Sequence, residues 1–291
     1  MESFNKKIKL TIIGSKSFIG KNLFLDLINK NYKINFISSR ISYSKILDKR
    51  HIKQQLNNIG DGIVILCGWP IESDFHTTKV WSDHIFILLK EFILKSKTNY
   101  VLCIGSAAEL DPSRNKALKE FDFTKGVGDY GMSKVYLLNK FLSDNQINPK
   151  QFCWIRLFAP TGKFESKKRL LPHITNMALN NENIVCNNPE IIRDFYDVKE
   201  ATECICYIIE KKYSGIINLG SGKKISIKDL ITKVTEITGS KSKLIIRKVK
   251  GKEWKSVSWY PDITKLKNLV PCYPKKDIEE IINLHINLTN K

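Results

Sequence analysis

The chain has 291 residues, 42% hydrophobic and 26% charged, a composition that excludes disorder, collagen and coiled coil as its main state. Lys and Arg number 48 against 29 Asp and Glu, a formal net charge of +19 that attracts anions of any class at long range. The basic runs Lys6-Lys7-Ile8-Lys9, Lys167-Lys168-Arg169 and 247–255 lack the interleaved aromatics of a single-strand nucleic-acid groove and read as solvated faces, so no nucleic-acid partner is expected. The chain starts Met1-Glu2-Ser3-Phe4-Asn5 and leads into a strand with no signal-peptide pattern, so its seven cysteines are expected as free thiols in a reducing cytoplasm. No apolar run approaches the roughly 18 residues that span a bilayer. The Cys204-x-Cys206 pair has no second Cys or His pair at zinc spacing, so no metal is expected.

In chain order, short apolar runs alternate with helical patterns through the first half, the rhythm of βαβ units around a parallel sheet. Residues 8–13 read as the first strand and 18–29 as a helix. Strands are expected at 34–37, 63–67, 100–104 and 152–157, with helices at 79–95 and 130–144 between them. Beyond Gly162 the pattern is less regular: helices near 171–179, 198–211, 227–238 and 276–288, and a strand at 216–219. The expectation is an α/β, doubly wound parallel sheet in residues 1–160, with returning elements from about 184–220, and a smaller lobe mainly in 161–291.

The first strand runs straight into Gly14-Ser15-Lys16-Ser17-Phe18-Ile19-Gly20, which opens a helix. Such a turn lets backbone amides and a helix N-terminus approach a pyrophosphate. Ser17 stands where the middle glycine would be. Dinucleotide folds that select NAD place an acid at the end of the second strand to hold the ribose 2′-hydroxyl; here the chain reads Ile37-Ser38-Ser39-Arg40. Ser39 and Arg40, with Lys16 in the turn, suit a 2′-phosphate, although Arg40 as an ordinary surface residue stays open. Tyr130-Gly131-Met132-Ser133-Lys134 places Tyr130 and Lys134 on one helical face. A neighbouring ammonium lowers a phenol's pKa from about 10, which allows proton exchange near neutral pH. Ser106 follows the strand at 100–104, and open parallel sheets bind ligands beyond such strand ends.

With these residues in this order, the sequence resembles the extended short-chain dehydrogenase/reductase family, particularly its nucleotide-sugar enzymes, over nearly its whole length. Asp61-Gly62-Ile63-Val64-Ile65-Leu66-Cys67-Gly68 is similar to the family's fourth strand, and Arg156-Leu157-Phe158-Ala159-Pro160-Thr161-Gly162 to its RxFNxYGP segment. Leu170-Leu171-Pro172 resembles the nucleotide-facing helix start, Arg193-Asp194-Phe195-Tyr196-Asp197-Val198 the RDFxxV segment, and Ile217-Asn218-Leu219-Gly220-Ser221-Gly222 the glycine turn before a last helix. The resemblance implies a Rossmann-type fold with a smaller C-terminal substrate-binding lobe. It implies Ser106, Tyr130 and Lys134 as catalytic residues, and a cofactor contact at Cys67 and Gly68 beside the glycine turn. It further implies substrate contacts at Ser106, Ala107, Tyr130, Leu171 and Arg193, and a homodimer through the helices at 79–95 and 130–144. In the family the arginine of the RDF segment meets the substrate diphosphate; a structural pair of Arg193 with Asp194 or Asp197 is the alternative. Ala159 departs from the family's asparagine, and Trp81 or a neighbour replaces the usual helix asparagine.

The family's 4,6-dehydratases need an Asp-Glu pair just after the catalytic hydroxyl, whereas Ser106 is followed by Ala107, Ala108 and Glu109; a register moved by one uses Glu109 but puts Ala107 in place of the hydroxyl. The 3,5-epimerase/reductases use an added Cys and His, and no Cys follows Ser106. What remains is NADPH-dependent reduction of the 4-keto group of a nucleotide-linked 4-keto-6-deoxy sugar. A 4-epimerase holding NAD shares the three residues and is the alternative. A silent RNA-binding member would be expected to have lost one of them.

Overall fold

The structure is a computed structural model that describes residues 8–30, 32–41, 45–71, 73–112, 116–247 and 258–289. The start of the chain, Lys6-Lys7 and most of the basic run at 247–255 lie outside the described residues. The first half forms β1 (Ile8–Ile13), α1 (Phe18–Leu27), β2 (Tyr32–Ile37), α2 (Lys49–Ile59) and β3 (Ile63–Leu66). It continues through α3 (Phe75–Lys95), β4 (Tyr100–Ser106), a 3-10 turn at Ala107–Glu109, α4 (Gly128–Ser143) and β5 (Phe152–Leu157).

β1 pairs in parallel with β2 and β3, and β3 with β4, in a six-stranded sheet whose order is β10 (Gly215–Leu219), β5, β4, β3, β1, β2. The inner strands β3, β4 and β5 are buried on both faces, which is why they read as continuous apolar runs rather than alternating ones, whereas the edge strand β2 has no buried residue. Val64, Leu66, Val101 and Cys103 join one core cluster with Ile52 and Ile59 of α2, Leu88, Leu89 and Phe92 of α3, and Leu137, Leu138 and Phe141 of α4. Ile63, Ile65, Leu102 and Ile104, of opposite parity, are also buried but belong to the other face. Right-handed crossovers require this, because the step from β1 to β2 runs opposite to the steps from β2 to β3 and β3 to β4, which places α1 across the sheet from α2 and α3.

The remaining elements are β6 (Ala159–Thr161), α5 (Leu170–Leu179), β7 (Ile184–Cys186), β8 (Ile192–Arg193), β9 (Phe195–Asp197) and α6 (Val198–Lys211). After β10 come β11 (Ile225–Ser226), α7 (Ile227–Thr238), β12 (Leu244–Ile246), β13 (Ser258–Trp259), α8 (Thr264–Leu269) and α9 (Ile278–Thr289). Leu171, Ile174 and Ala178 of α5, Leu230, Ile231 and Val234 of α7, and Ile281 and Ile282 of α9 form a second apolar cluster. The chain divides into two compact units, one of 1–111, 121–156 and 205–217, the other of 112–120, 157–204 and 218–291.

No helix among the described residues is long and apolar enough to cross a membrane.

Candidate active site

β1 and β3 are neighbours in the sheet although β2 lies between them in the chain, so the strand order reverses between their C-terminal ends. A ligand crevice opens outside such a reversal. Its floor is bare backbone. Gly14 ends β1 at φ +86°, and a Cβ there would stand 2.3 Å from the Gly68 Cα; a Cβ on Gly68 would stand 2.3 Å from the Ser39 Cβ. The backbone is tied across this point by Gly14 N–H donating to the Ile37 carbonyl at 3.0 Å and Cys67 N–H donating to the Ile13 carbonyl at 2.9 Å.

Ser17 has a local reason to stand in place of a glycine: it caps α1, its Oγ accepting from the Gly20 N–H at 3.1 Å. Ser15, Phe18 and Ile19 complete the turn and the first helical residues. Lys16 and Arg40, both exposed, follow the strand ends that pair at Ile13 and Ile37. The Arg40 N–H donates to the Ser38 Oγ at 3.1 Å, a local turn that leaves its guanidinium outward. Burial pushes the Cys67 thiol up to about 12, so this cysteine beside Gly68 is an inert apolar group. A glycine-floored crevice, a helix N-terminus and two exposed cations at the strand ends fit a dinucleotide.

The Ser106 loop and α4 are built against each other. The Val127 N–H donates to the Ala108 carbonyl at 2.7 Å and the Gly126 N–H to the Glu109 carbonyl at 3.0 Å, while Gly131 sits so close that a Cβ would stand 2.3 Å from the Ala108 oxygen. Ser106 caps the 3-10 turn, its Oγ accepting from the Ala108 N–H at 3.2 Å. That uses an acceptor lone pair only; among the described residues the Ser106 hydroxyl has no acceptor for its own proton. Ala107 behind it is buried.

Glu109 closes the turn from below, fully buried. Its carboxylate accepts from the Ser106 N–H at 2.7 Å, from the Trp154 Nε1–H at 3.0 Å and from the Arg156 Nε–H at 2.8 Å, and Arg156 is itself only 1% exposed. An acid so engaged is a strut under Ser106. The register that would use Glu109 as an elimination acid, already short of its hydroxyl, gains no support: the carboxylate faces the interior and is held by a buried cation.

Tyr130 is half-buried and Lys134 is buried, one turn apart on α4 as their spacing predicts. The Lys134 Nζ lies 5.4 Å from the Tyr130 ring centroid and 3.9 Å from that of Trp69, and donates to the Ile104 carbonyl two residues before Ser106. Burial lowers the Lys134 ammonium to about 8, against the opposing pull of Glu109. Trp69 was not foreseen from the sequence; its indole N–H donates to the Ser133 Oγ at 3.0 Å, and its ring meets Trp81 edge-on at 4.8 Å. Trp81 in turn donates its Nε1–H to the Ser39 carbonyl at 2.9 Å.

In the second unit, Arg193 lies on β8. Its guanidinium stacks 4.3 Å from the Trp259 ring and donates to the Ile192 carbonyl at 2.8 Å. Neither neighbouring acid pairs with it. Asp194 accepts from the Ser221 and Gly222 N–H groups at 2.8 and 2.9 Å and from the Ser221 hydroxyl, and burial raises it to about 7; Asp197 pairs with Lys276. Among the described residues Arg193 has no carboxylate partner, burial lowers it to about 10, and the buried Trp259 Nε1–H beside it has no acceptor. A desolvated cation and an unspent donor side by side are the makings of an anion site. Leu171 is a correction: it is 1% exposed inside the α5–α7–α9 core, while Leu170 at the same helix start is 41% exposed.

Fold and site together define a Rossmann-type α/β protein carrying a Ser, Tyr and Lys set at the ends of its parallel strands. The family model of the NAD dependent epimerase/dehydratase family matches residues 10–220, and the chain belongs to that family. A CDP-abequose synthase from Salmonella muenchen is 23% identical over 269 residues, 84% of this chain and 85% of the relative. The fold is similar to that of Bordetella bronchiseptica WbmG solved in complex with NAD, at TM-score 0.82 and 14% identity over 100% of this chain and 96% of that one. It is also similar to that of the Thermotoga maritima UDP-glucose 4-epimerase solved with UDP-glucose, at TM-score 0.80 and 16% identity over 98% of this chain and 100% of that one.

Proposed function

We propose that the protein is an NADPH-dependent reductase of the 4-keto group of a nucleotide-linked 4-keto-6-deoxy sugar. The observation that carries this reading is the Ser106 hydroxyl with its proton unspent, set against a helix that presents Tyr130 and Lys134, while Glu109, the first acid after Ser106, is locked in the interior. Such a site can move one proton to or from one oxygen. With Glu109 held in the interior, the turn Ala107–Glu109 presents no acid for eliminating water.

When bound, a nicotinamide cofactor would supply the hydride. Ser106 donates its hydroxyl proton in a hydrogen bond to the substrate carbonyl oxygen, a bond that strengthens as charge grows there. Tyr130 delivers its Oη proton to that oxygen, and the Lys134 ammonium lowers the phenol's pKa and can bind the nicotinamide ribose. Arg40 and Lys16, with no acid at the end of β2, favour NADPH over NADH. Arg193 with the Trp259 N–H binds the diphosphate. The name of the curated relative supports a CDP-linked sugar as the kind of substrate involved. A dimer through α3 and α4 belongs to the same reading.

The test is single-turnover NADPH oxidation with a panel of nucleotide-linked 4-keto-6-deoxy sugars, run also with NADH. NADPH oxidation with one of them, slowed about 10²- to 10⁴-fold in Tyr130→Phe with the fold intact by circular dichroism, is the expected result. No oxidation with any of them, together with bound NAD and interconversion of 4-hydroxy epimers, would replace this reading with the 4-epimerase.

A further inference from the structure

The buried lysine of α4 poses a question of charge. An ammonium that is 3% exposed needs compensation, yet among the described residues no carboxylate bonds to it directly. The groups facing it are few. Glu109 lies beneath it from the 3-10 turn, the Cys103 thiol comes from β4, the Cys67 thiol from the end of β3, and the Tyr130 ring from its own helix. The Trp69 ring centroid is 3.9 Å from Nζ, against 5.4 Å for that of Tyr130, inside the range of a desolvated cation–π contact.

Trp69 is also fixed from both sides. Its Nε1–H donates at 3.0 Å to the hydroxyl of Ser133, which itself donates to the Tyr130 carbonyl at 2.8 Å, so the indole grips the helical turn that carries Tyr130 and Lys134. On the far side its ring abuts Trp81, whose own N–H is anchored to the Ser39 carbonyl. A half-exposed tryptophan with its polar atom and ring both engaged is placed, and its ring is placed on the ammonium.

We infer that Trp69 is a positioning residue of the active site: its ring face holds the Lys134 ammonium in its charged form and directed along α4, with Ser133 and Trp81 keeping the ring in place. An ammonium has three donors; one is taken by the Ile104 carbonyl and one direction by the ring, which leaves the third for a ligand. The inference rests on the reductase reading only for its kinetic consequence, because the state of Lys134 can be measured without any substrate.

The ring favours the charged lysine, so its removal lowers the lysine pKa. The active form is the ammonium, so activity is then lost at lower pH as pH rises. In Trp69→Leu the NMR titration of the Lys134 side chain in 13C-lysine-labelled protein, assigned by its absence in Lys134→Met, is expected to move down by about one pH unit. Trp69→Phe, which keeps a ring face and loses the N–H, is expected to restore most of that shift. In turnover, the alkaline limb of kcat is expected to move with the titration while the KM of the sugar nucleotide stays put. If Trp69→Leu does not fold, Trp69→Met makes the same ring-free comparison with Trp69→Phe. A Lys134 titration unchanged in the ring-free variant, or displaced equally in Trp69→Phe, overturns the inference. If the titration moves as expected and no 4-keto sugar is turned over, the positioning role stands and the reductase reading falls.

Discussion

At the scale of single residues, a fully buried ion pair and a half-buried cation carry opposite expectations. Glu109 and Arg156 are paired out of water, and removing one partner leaves the other uncompensated. Glu109→Ala is therefore expected to destabilise the protein by about 3–5 kcal/mol in urea titration, while kcat measured where the variant is still folded falls far less than in Tyr130→Phe. Lost activity with unchanged stability would give Glu109 a chemical role. Arg193 has no such partner, and its guanidinium rests on Trp259. Arg193→Ala is expected to raise the KM of the sugar nucleotide about tenfold or more, the loss of one charge-assisted contact, with the KM of NADPH unchanged. A normal sugar-nucleotide KM with a lowered Tm would make it a structural residue.

At the scale of elements, the reaction depends on how α4 lies against the 3-10 turn after β4. Gly131 is the point of contact, since any side chain there would meet the Ala108 carbonyl. Gly131→Ala should favour α4 as a helix yet push it off the turn that holds Ser106, so kcat is expected to drop about 10²-fold or more while helical content is kept. Measuring kcat beside circular dichroism checks this, and full activity would mean that the contact does not set the geometry. Much of this layer was legible in the sequence. β1, β5, α6 and α7 fall where the apolar runs put them, because their burial is complete or cleanly one-sided. α2 was not legible: Lys49–Ile59 is mostly polar, with only Ile52, Leu56 and Ile59 to mark its inner face. The two-residue strands β8, β11 and β13 are too short to show a period, and exist through pairing with one another. In the site, the glycine turn, Ser106 and the Tyr130–Lys134 pair are local patterns and could be read. The strut under Ser106 and the Trp69 ring on Lys134 join residues 45 or more positions apart, and nothing in a single sequence announces them.

At the scale of the molecule, the net charge of +19 sets how reactants arrive. Both proposed reactants are multiply anionic, so attraction accelerates encounter and salt screens it. Raising ionic strength from about 0.05 to about 0.5 M is expected to lower kcat/KM for NADPH several-fold and leave kcat flat; salt-independent kcat/KM would confine the charge to faces that reactants never meet. The order of the sheet bears on a different matter, the birth of the chain. β10 closes the sheet beside β5, yet 57 residues separate Leu157 from Gly215. On the ribosome, at roughly 5–20 residues per second, β5 therefore waits several seconds with one row of N–H and C=O groups unpaired. Through that interval the nascent protein carries an open edge that another chain could join, and the protein's yield in a crowded cell depends on how soon Gly215–Leu219 follows.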